Sequence, residues 1–309
     1  MPVLIVGSLA YDSVSSPAGS VEDALGGSAT YGGLACQFHL QRFGMPSAGL
    51  VGVVGEDFAP EDRAVLEEAG LDLQGLETAS GSTFRWGGSY EGSMGEAMTH
   101  ATHLNVFEHF QPSVPTAWNT PVVTFCANLH PLLQASVMDQ CQASRVTMLD
   151  SMNLWIDIAR PELMIAMKRA DLVIINDGEV RMLTDDQNIV RAMHTLAEQT
   201  KTETLVVKRG EHGVLALHQG SFVALPAYPI ASVVDPTGCG DSFAGTLAAH
   251  LASREGPVSL SELKRALAAA TVTASFTLMS FGTASLRTLN EAVFNERMSL
   301  YRGMIAFED

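Results

Sequence analysis

Basic residues and cysteines are both scarce in this chain. The small number of basic residues limits the kinds of macromolecule that it can bind. The 309 residues include 18 Lys and Arg against 34 Asp and Glu, which gives a formal net charge of -16. Nucleic acid and anionic membrane surfaces are therefore not expected as partners, because a protein of this charge would repel them. Nucleotide phosphates can still bind, since backbone N–H groups and Mg²⁺ can supply the positive charge.

The few cysteines lie far apart and form no C-x-x-C pair: Cys36, Cys126, Cys141 and Cys239. This spacing predicts neither a zinc site nor a disulfide framework. The first residues have no basic flank and are too short for a signal peptide, and no apolar run reaches the length of a transmembrane helix. We therefore expect reduced thiols and a cytoplasmic protein without a membrane partner.

The dinucleotide-binding pattern G-x-G-x-x-G is also missing after the first apolar run. The residues that follow this run, Gly7-Ser8-Leu9-Ala10-Tyr11-Asp12, do not have its glycines. A Rossmann-type oxidoreductase needs those glycines for a tight turn and for close approach to the pyrophosphate. This enzyme class is therefore disfavoured.

Short apolar runs alternate with helical patterns along most of the chain. The runs predict buried strands over Val3–Val6, Gly49–Val54, Val122–Cys126, Val146–Leu149, Leu172–Ile175 and Leu205–Val207. Helices are predicted over Ala29–Phe43, Pro60–Ala69, Pro131–Gln142, Pro161–Arg169, Ile189–Gln199 and Ser261–Met279. This alternation predicts an α/β fold with a doubly wound, mainly parallel sheet flanked by helices, in a single domain over residues 1–309.

Two segments interrupt the alternation. Residues 11–25 are polar where a first helix should follow the first strand, and residues 82–105 have the pattern of a β-hairpin with a glycine-rich middle, 91–96. Together they predict a small β-sheet that projects from the main domain. Such a sheet is either a lid that excludes water from a reaction centre, an exposed insertion, or a dimer contact.

The most informative segment is Asp235-Pro236-Thr237-Gly238-Cys239-Gly240-Asp241, which opens a strongly helical stretch. The free N–H groups and the dipole of a helix start favour a bound anion. A carboxylate there is a poor phosphate ligand, but Asp241 can accept a proton from a hydroxyl while the amides hold the charge of a migrating phosphoryl group. The segment therefore predicts phosphoryl transfer.

The same segment resembles the D-T-x-G-A-G-D-x-F signature of the ribokinase-like (PfkB-type) carbohydrate kinases, with Pro236 and Cys239 at the differing positions. The resemblance runs over nearly the whole chain. It implies a ribokinase-like fold and an ATP-dependent kinase that phosphorylates a hydroxyl of a sugar or sugar-like substrate. A nucleoside kinase and a non-catalytic regulator that binds a sugar or nucleoside are the alternatives. By this resemblance the anion hole and the catalytic base are Gly238, Cys239, Gly240 and Asp241.

Two further segments resemble the nucleotide side of that family. Asn176-Asp177-Gly178-Glu179 resembles its N-x-x-E motif, in which Glu179 would organise Mg²⁺ through water, although a capped helix start has the same pattern. Val207 to Gly213 resembles the V-x-x-G-x-x-G turn beside the nucleotide, where Lys208 either approaches the phosphates or ribose or is a solvated turn residue. The expected nucleotide-binding residues are Asn176, Glu179, Lys208, Gly210, Gly213, Thr237 and Gly282. Asp235 is a candidate for a K⁺ site, as in some relatives.

The acceptor side matches the family less closely. Asp12 resembles the substrate-binding Asp of the first strand, and Gly26 and Gly27 resemble an early Gly-Gly motif that lets a sugar approach the backbone. Tyr31 stands where many members have Asn, so its ring either stacks on a sugar or base or fills space. Arg85 either binds an acidic group of the acceptor or forms a salt bridge within the lid. The resemblance also implies a homodimer formed through the lid.

Overall fold

The apolar runs become strands of one nine-stranded sheet in the computed structural model, which describes residues 1–92, 94–95 and 97–306. With strands numbered in chain order, this sheet contains β1 (Val3–Val6), β4 (Gly49–Gly55), β5 (Asp72–Ala79), β8 (Val123–Cys126), β9 (Val146–Asp150), β10 (Leu172–Asn176), β11 (Thr204–Lys208), β12 (Val214–His218) and β13 (Ser221–Leu225). The order across the sheet is β13-β12-β11-β10-β9-β8-β1-β4-β5. All pairs are parallel except β11–β12 and β12–β13.

Every predicted strand is present, and β5, β12 and β13 are additional. Strands β5 and β13 are the two edges of the sheet, where one side of a strand has no neighbour and the apolar pattern is weaker, and β12 lies between β11 and β13. In β5, for example, Leu76 is the one buried residue. The predicted α/β fold with a mainly parallel sheet is therefore confirmed.

Helices cover both faces of the sheet, because alternate residues of each strand point to opposite sides. They are α1 (Ser28–Arg42), α2 (Pro60–Glu68), α3 (Pro131–Gln140), α4 (Asn153–Ile158), α5 (Arg160–Met167), α6 (Asp177–Thr184), α7 (Ile189–Thr200), α8 (Cys239–Ala252), α9 (Leu260–Thr277), α10 (Ala284–Thr288) and α11 (Glu291–Ile305). Helices α1, α8 and α9 pack on one face, and α5, α6 and α7 pack on the other. Within the described ranges, no helix has both the length and the apolar character needed to cross a membrane.

A separate four-stranded sheet is built from the two segments that interrupt the alternation. It contains β2 (Ala10–Ser16), β3 (Gly19–Gly26), β6 (Phe84–Ser89) and β7 (Met98–His103), in the order β3-β2-β6-β7. The predicted small sheet is thus confirmed, whereas its roles as lid and dimer contact stay predictions. Ser93 and Glu96, in the glycine-rich middle predicted for the hairpin, lie outside the described residues.

The register of the small sheet decides which side chains share a face. Strands β2 and β6 run parallel, with Tyr11 paired to Arg85 and Asp12 paired to Trp86. Directly paired residues point to the same side, and the next pair along points to the other. Asp12 and Trp86 therefore lie on one face of the small sheet, and Tyr11 and Arg85 lie on the opposite face.

Candidate active site

The carboxyl ends of neighbouring parallel strands bring polar residues together at one edge of the main sheet. Asp150 ends β9, Asn176 ends β10 and Lys208 ends β11, and these strands are adjacent. Open parallel sheets bind ligands at this edge. Because Lys208 also reaches the start of α8, the glycine-rich segment lies at the same edge.

The glycine-rich segment makes a turn that only glycine can make. Gly238 is the N-cap of α8 with φ +74°, and a Cβ atom on it would lie 2.2 Å from Cγ of Tyr31. The first N–H groups of a helix have no acceptor within the helix. The N–H of Cys239, however, donates to the carbonyl of Pro236 at 3.1 Å. The amide of Cys239 is thus engaged within the turn, and the anion hole of Gly238, Cys239 and Gly240 stays a prediction.

Lys208 lies over this turn rather than in solvent. Its Nζ is 2.9 Å from the position that a Cβ on Gly240 would occupy, and it contacts both carboxylate oxygens of Asp150 at 3.0 and 2.9 Å. Burial alone would lower the pKa of Lys208, but the charges of Asp150 and Glu179 outweigh it and the pKa is raised. A permanent positive charge is therefore held beside Gly240.

Asp241 lies in the first turn of α8, in the same group of charges. The pKa of Asp241 is raised to about 7, mainly by burial and also by the charge of Asp150, while the charge of Lys208 acts in the opposite direction. A base is most effective when its pKa lies near the working pH. This carboxyl therefore has the protonation behaviour of a general base at neutral pH.

Glu179 and Asn176 form a reciprocal cap at the start of α6. The N–H of Glu179 donates to Oδ1 of Asn176 at 2.8 Å, and the backbone N–H and Nδ2 of Asn176 donate to the two Glu179 oxygens at 2.8 and 2.7 Å. Burial raises the pKa of Glu179 to about 7, although the charge of Lys208 lowers it. The capped helix start is therefore present, and the Mg²⁺ role of Glu179 stays a prediction. Among the described residues no cluster of three or more acidic, His or Cys side chains could hold a metal.

Asp235 ties the glycine-rich segment to the loop that contains Gly282. Its oxygens accept from the N–H of Thr237 at 2.8 Å and from the N–H of Gly282 at 3.3 Å. Burial raises the pKa of Asp235. Asp235 thus fixes the shape of the loop, and the K⁺ site stays a prediction.

Gly210 and Gly213 shape the turn between β11 and β12. Gly213 has φ +83°, and a Cβ on it would lie 2.1 Å from the carbonyl oxygen of Leu225, whereas Gly210 has φ +51° and open space around it. Gly213 is therefore required for packing against β13. Nucleotide contact by either glycine stays a prediction.

Asp12, on β2 of the small sheet, lies close enough to Asp241 for their charges to interact. The pKa of Asp12 is raised to about 7, mainly by burial and also by the charges of Asp235 and Asp241. The N–H of Gly27 donates a hydrogen bond to this carboxyl, which acts in the opposite direction. A Cβ on Gly26 would lie 2.0 Å from Oδ2 of Asp12, so only glycine leaves room for this carboxyl. The structure therefore brings together Asp12, Gly26, Gly27 and Asp241.

Tyr31 fills space beneath the glycine-rich turn. Its side chain is nearly fully enclosed, with 1% of the residue exposed, and its ring packs on Gly238. Its hydroxyl has no hydrogen-bond partner among the described residues. Of the two alternatives for Tyr31, the structure therefore favours space filling, because neither ring face is open to an acceptor.

Arg85 forms salt bridges on the far face of the small sheet. Its Nη1 lies 2.8 Å from Oδ2 of Asp57 and its Nε 3.3 Å from Oδ1 of Asp23, and its guanidinium lies over the ring of Tyr11 at 5.3 Å. Two carboxylates thus neutralise it, on the side opposite to Asp12. Of the two alternatives for Arg85, the structure therefore favours the salt bridge over contact with an acidic acceptor.

Comparison with known proteins agrees with this arrangement. The model of the pfkB family carbohydrate kinases matches residues 94–289. The chain belongs to this family. The PfkB assignment made from the glycine-rich segment is therefore confirmed, as is the prediction of a sugar or nucleoside kinase.

Relatives of this PfkB protein include kinases for both kinds of acceptor. A cytidine kinase of Thermococcus kodakarensis is 28% identical over 252 residues, which cover 79% of this chain and 86% of the relative. Matches to fructokinases span between 33% and 46% of those proteins' length.

The fold is also found in solved structures of other kinases. Giardia lamblia ribokinase (TM-score 0.79, 19% identity) covers 95% of this chain and 98% of its own. Salmonella enterica aminoimidazole riboside kinase, complexed with its riboside and an ATP analogue (TM-score 0.71, 17% identity), covers 96% and 99%.

Residues that the family motifs did not single out also lie in the site. Asp150 holds Lys208, and Tyr90 accepts a hydrogen bond from the hydroxyl of Thr237 at 3.3 Å. Trp86 shares its face of the small sheet with Asp12. The strand-end position of Asp150 was a usable signal. The place of Trp86 depends on pairing with β2, which only the structure provides.

Proposed function

We propose that this PfkB-family protein transfers the γ-phosphoryl group of ATP, with Mg²⁺, to a hydroxyl of an uncharged sugar or nucleoside. The observation that carries the proposal is the position of Asp241. Its carboxyl, with a pKa of about 7, lies in the first turn of α8, next in the chain to Gly240, over which the Lys208 ammonium is held. A base and a fixed positive charge at a helix N-terminus are what phosphoryl transfer to a hydroxyl requires.

The residues at the glycine-rich turn fit a magnesium nucleotide. Gly240 has no side chain between its backbone and Nζ of Lys208, so a phosphate bound to this ammonium can approach the backbone closely. The ammonium of Lys208 and the N–H of Gly240 can donate to phosphate oxygens, and Glu179 can bind the water around Mg²⁺, which needs few protein ligands. Bound ATP and Mg²⁺ would supply the phosphoryl group and the leaving ADP.

The side chains of this protein would then manage the proton and the acceptor. Asp241 takes the proton from the attacking hydroxyl, and Asp12 accepts hydrogen bonds from neighbouring hydroxyls.

We also propose that residues 1–309 act as a single domain in which the small sheet is the lid. Its strand β2 carries Asp12, and Tyr90, directly after β6, contacts Thr237. A closed lid would exclude water and limit the hydrolysis of ATP.

The charges on the acceptor side favour an uncharged acceptor. The charge of Asp241 raises the pKa of Asp12, so two carboxyls lie on this side of the site, and Arg85 is paired on the other face of the small sheet. An acceptor with a carboxylate or phosphate near Asp12 would be repelled without a compensating cation. Sugar acids and sugar phosphates are therefore expected to be poor acceptors.

The test is an acceptor screen with MgATP followed by the substitution Asp241→Asn. The screen contains cytidine, inosine, ribose and fructose, and ADP release is measured for each. With the best acceptor, Asp241→Asn should lower kcat by roughly 10²- to 10⁴-fold, the usual contribution of a general base, while calorimetry shows retained MgATP binding. Asp157→Asn, on exposed α4, is the matched control. Unchanged turnover in Asp241→Asn contradicts the assignment, and tight acceptor binding without any turnover favours a non-catalytic regulator.

A further inference from the structure

The indole of Trp86 lies on the same face of the small sheet as Asp12. Trp86 is paired with Asp12 across β2 and β6, and Asp12 is close enough to Asp241 for their charges to interact. The neighbouring pair shows the alternation independently, since the guanidinium of Arg85 lies over the ring of Tyr11 on the other face. Trp86 therefore faces the same side as the hydroxyl-binding carboxylate.

This indole is held flat by a glycine. A Cβ atom on Gly88 would lie 2.5 Å from Cη2 and 2.6 Å from Cζ2 of Trp86, so the six-membered ring rests directly on the backbone of β6. The indole Nε1 also donates to Oγ1 of Thr99 on β7 at 3.3 Å. With one ring face against the strand and the residue partly exposed, the other face is available to a ligand.

The same side of β6 continues toward the glycine-rich turn. Tyr90 follows Trp86 and Gly88 at alternate positions, and its hydroxyl accepts a hydrogen bond from Thr237 at 3.3 Å. The face that carries Asp12 and Trp86 is therefore turned toward the loop that precedes Asp241. An acceptor whose hydroxyl reaches Asp241 would place its remaining atoms beside this face.

We propose that Trp86 is the platform on which a nucleoside acceptor stacks its base, and that it makes nucleosides better acceptors than free sugars. This inference rests on the proposed kinase function and names its acceptor class. Asp12 binds the ribose hydroxyls, and the base extends over the indole. Stacking on an aromatic ring tolerates every base, because each base has a π-face. We therefore expect several nucleosides to bind, whereas a free sugar gains only the hydrogen bonds to Asp12.

Binding without ATP tests the inference separately from catalysis. Intrinsic tryptophan fluorescence and calorimetry follow the binding of cytidine, inosine and ribose to the wild-type chain and to four variants. Trp86→Ala should weaken nucleoside binding by about 10- to 100-fold, the usual value of one base–aromatic stack, and change ribose binding less than threefold by the same argument. Trp86→Phe keeps a stacking face and should retain most of the affinity, but it loses the nucleoside-induced fluorescence change. Trp118→Phe, which replaces a buried tryptophan elsewhere, should keep that change.

Gly88→Ala separates the platform from the fold. It keeps Trp86 but pushes the indole off the strand, so nucleoside affinity should fall while ribose affinity and the circular dichroism spectrum remain unchanged. Equal nucleoside affinity in Trp86→Ala and the wild type overturns the inference. So does a wild-type chain that binds ribose more tightly than any nucleoside, or one that binds no nucleoside. If Asp241→Asn instead leaves turnover intact, the proposed base fails while the binding result for Trp86 stands.

Discussion

The ammonium of Lys208 contacts both carboxylate oxygens of Asp150 and lies 2.9 Å from the point where a Cβ of Gly240 would be. This contact joins the ends of β9 and β11 to the first turn of α8. Removing one partner of a buried ion pair leaves the other charge without compensation, which costs more than the pair itself contributes. In the proposed mechanism Asp150 is therefore a positioning residue, because it holds the Lys208 ammonium beside Gly240.

Replacing Lys208 by Met should lower kcat by about 10²-fold, the usual effect of removing one donor to a developing negative charge, and should raise the KM for ATP. Asp150→Asn should have a smaller effect of the same kind, because the ammonium keeps its charge but loses its fixed position. Steady-state kinetics and thermal melting measure both effects. The double variant serves as the control, since it removes both charges and should be more stable than Lys208→Met alone. Full activity in Lys208→Met would show that this ammonium does not contact the transferred group.

The pH dependence of kcat/KM should follow the protonation of Asp241. Burial is the main reason that its pKa is about 7, and the base must be ionised, so activity should rise with pH through about 7 and then level off. Lys208 lowers this pKa, so Lys208→Met should shift the rise to higher pH. Initial rates from pH 5.5 to 9 at constant ionic strength give both curves. A flat profile over this range would contradict the assignment of Asp241.

The stability that Asp12, Glu179 and Asp241 contribute should fall as pH rises, because burial raises the pKa values of these three carboxyls to about 7. A carboxyl whose folded pKa exceeds its unfolded value of about 4 binds its proton more tightly in the folded state. Its contribution is complete below pH 4 and is lost as pH rises through 7. Asp12→Asn, which stays neutral and can still accept a hydrogen bond from the N–H of Gly27, should therefore melt about 1.5 to 3 °C higher than the wild type at pH 8, for about 1 to 2 kcal/mol in a chain of this size. At pH 4 the two should melt together, and a higher melting temperature at both pH values would point to a cause other than ionisation.

Local patterns were sufficient for the six central strands of the main sheet and for the prediction of a kinase from the glycine-rich segment. The run Leu172–Ile175 predicts a buried strand because consecutive apolar residues suit a sheet covered on both faces. Asp241 could be proposed as the base because this role is inferred from its immediate neighbours in the chain. Residue contacts within a helix turn or a strand are fixed by sequence spacing alone.

Contacts between distant segments could not be predicted in this way. Asp150 and Lys208 are 58 residues apart and meet because the sheet order makes β10 the neighbour of both their strands. Trp86 and Asp12 share a face only because β6 pairs with β2 in one register, and a shift by one residue would have exchanged Trp86 for Arg85. The two alternatives for Tyr31, stacking and space filling, stay open in the sequence because nothing in its own segment shows that Gly238 covers its ring.

Gly238→Ala should disable the site through that last contact. The residue has φ +74°, and its new Cβ would lie 2.2 Å from Cγ of Tyr31, so the turn before Asp241 must move. We expect kcat to fall by about 10²-fold or more, since small displacements of a catalytic group have effects of this size. Gly220→Ala is the matched control, because Gly220 has φ +81° with open space around it, in the turn between β12 and β13. Both variants carry the backbone cost of a side chain at positive φ, about 1 to 2 kcal/mol. If both variants lose a similar amount of melting temperature and only Gly220→Ala retains activity, the loss of activity in Gly238→Ala is due to the displaced turn. Equal activity in the two variants would show that the packing of Gly238 on Tyr31 does not position Asp241.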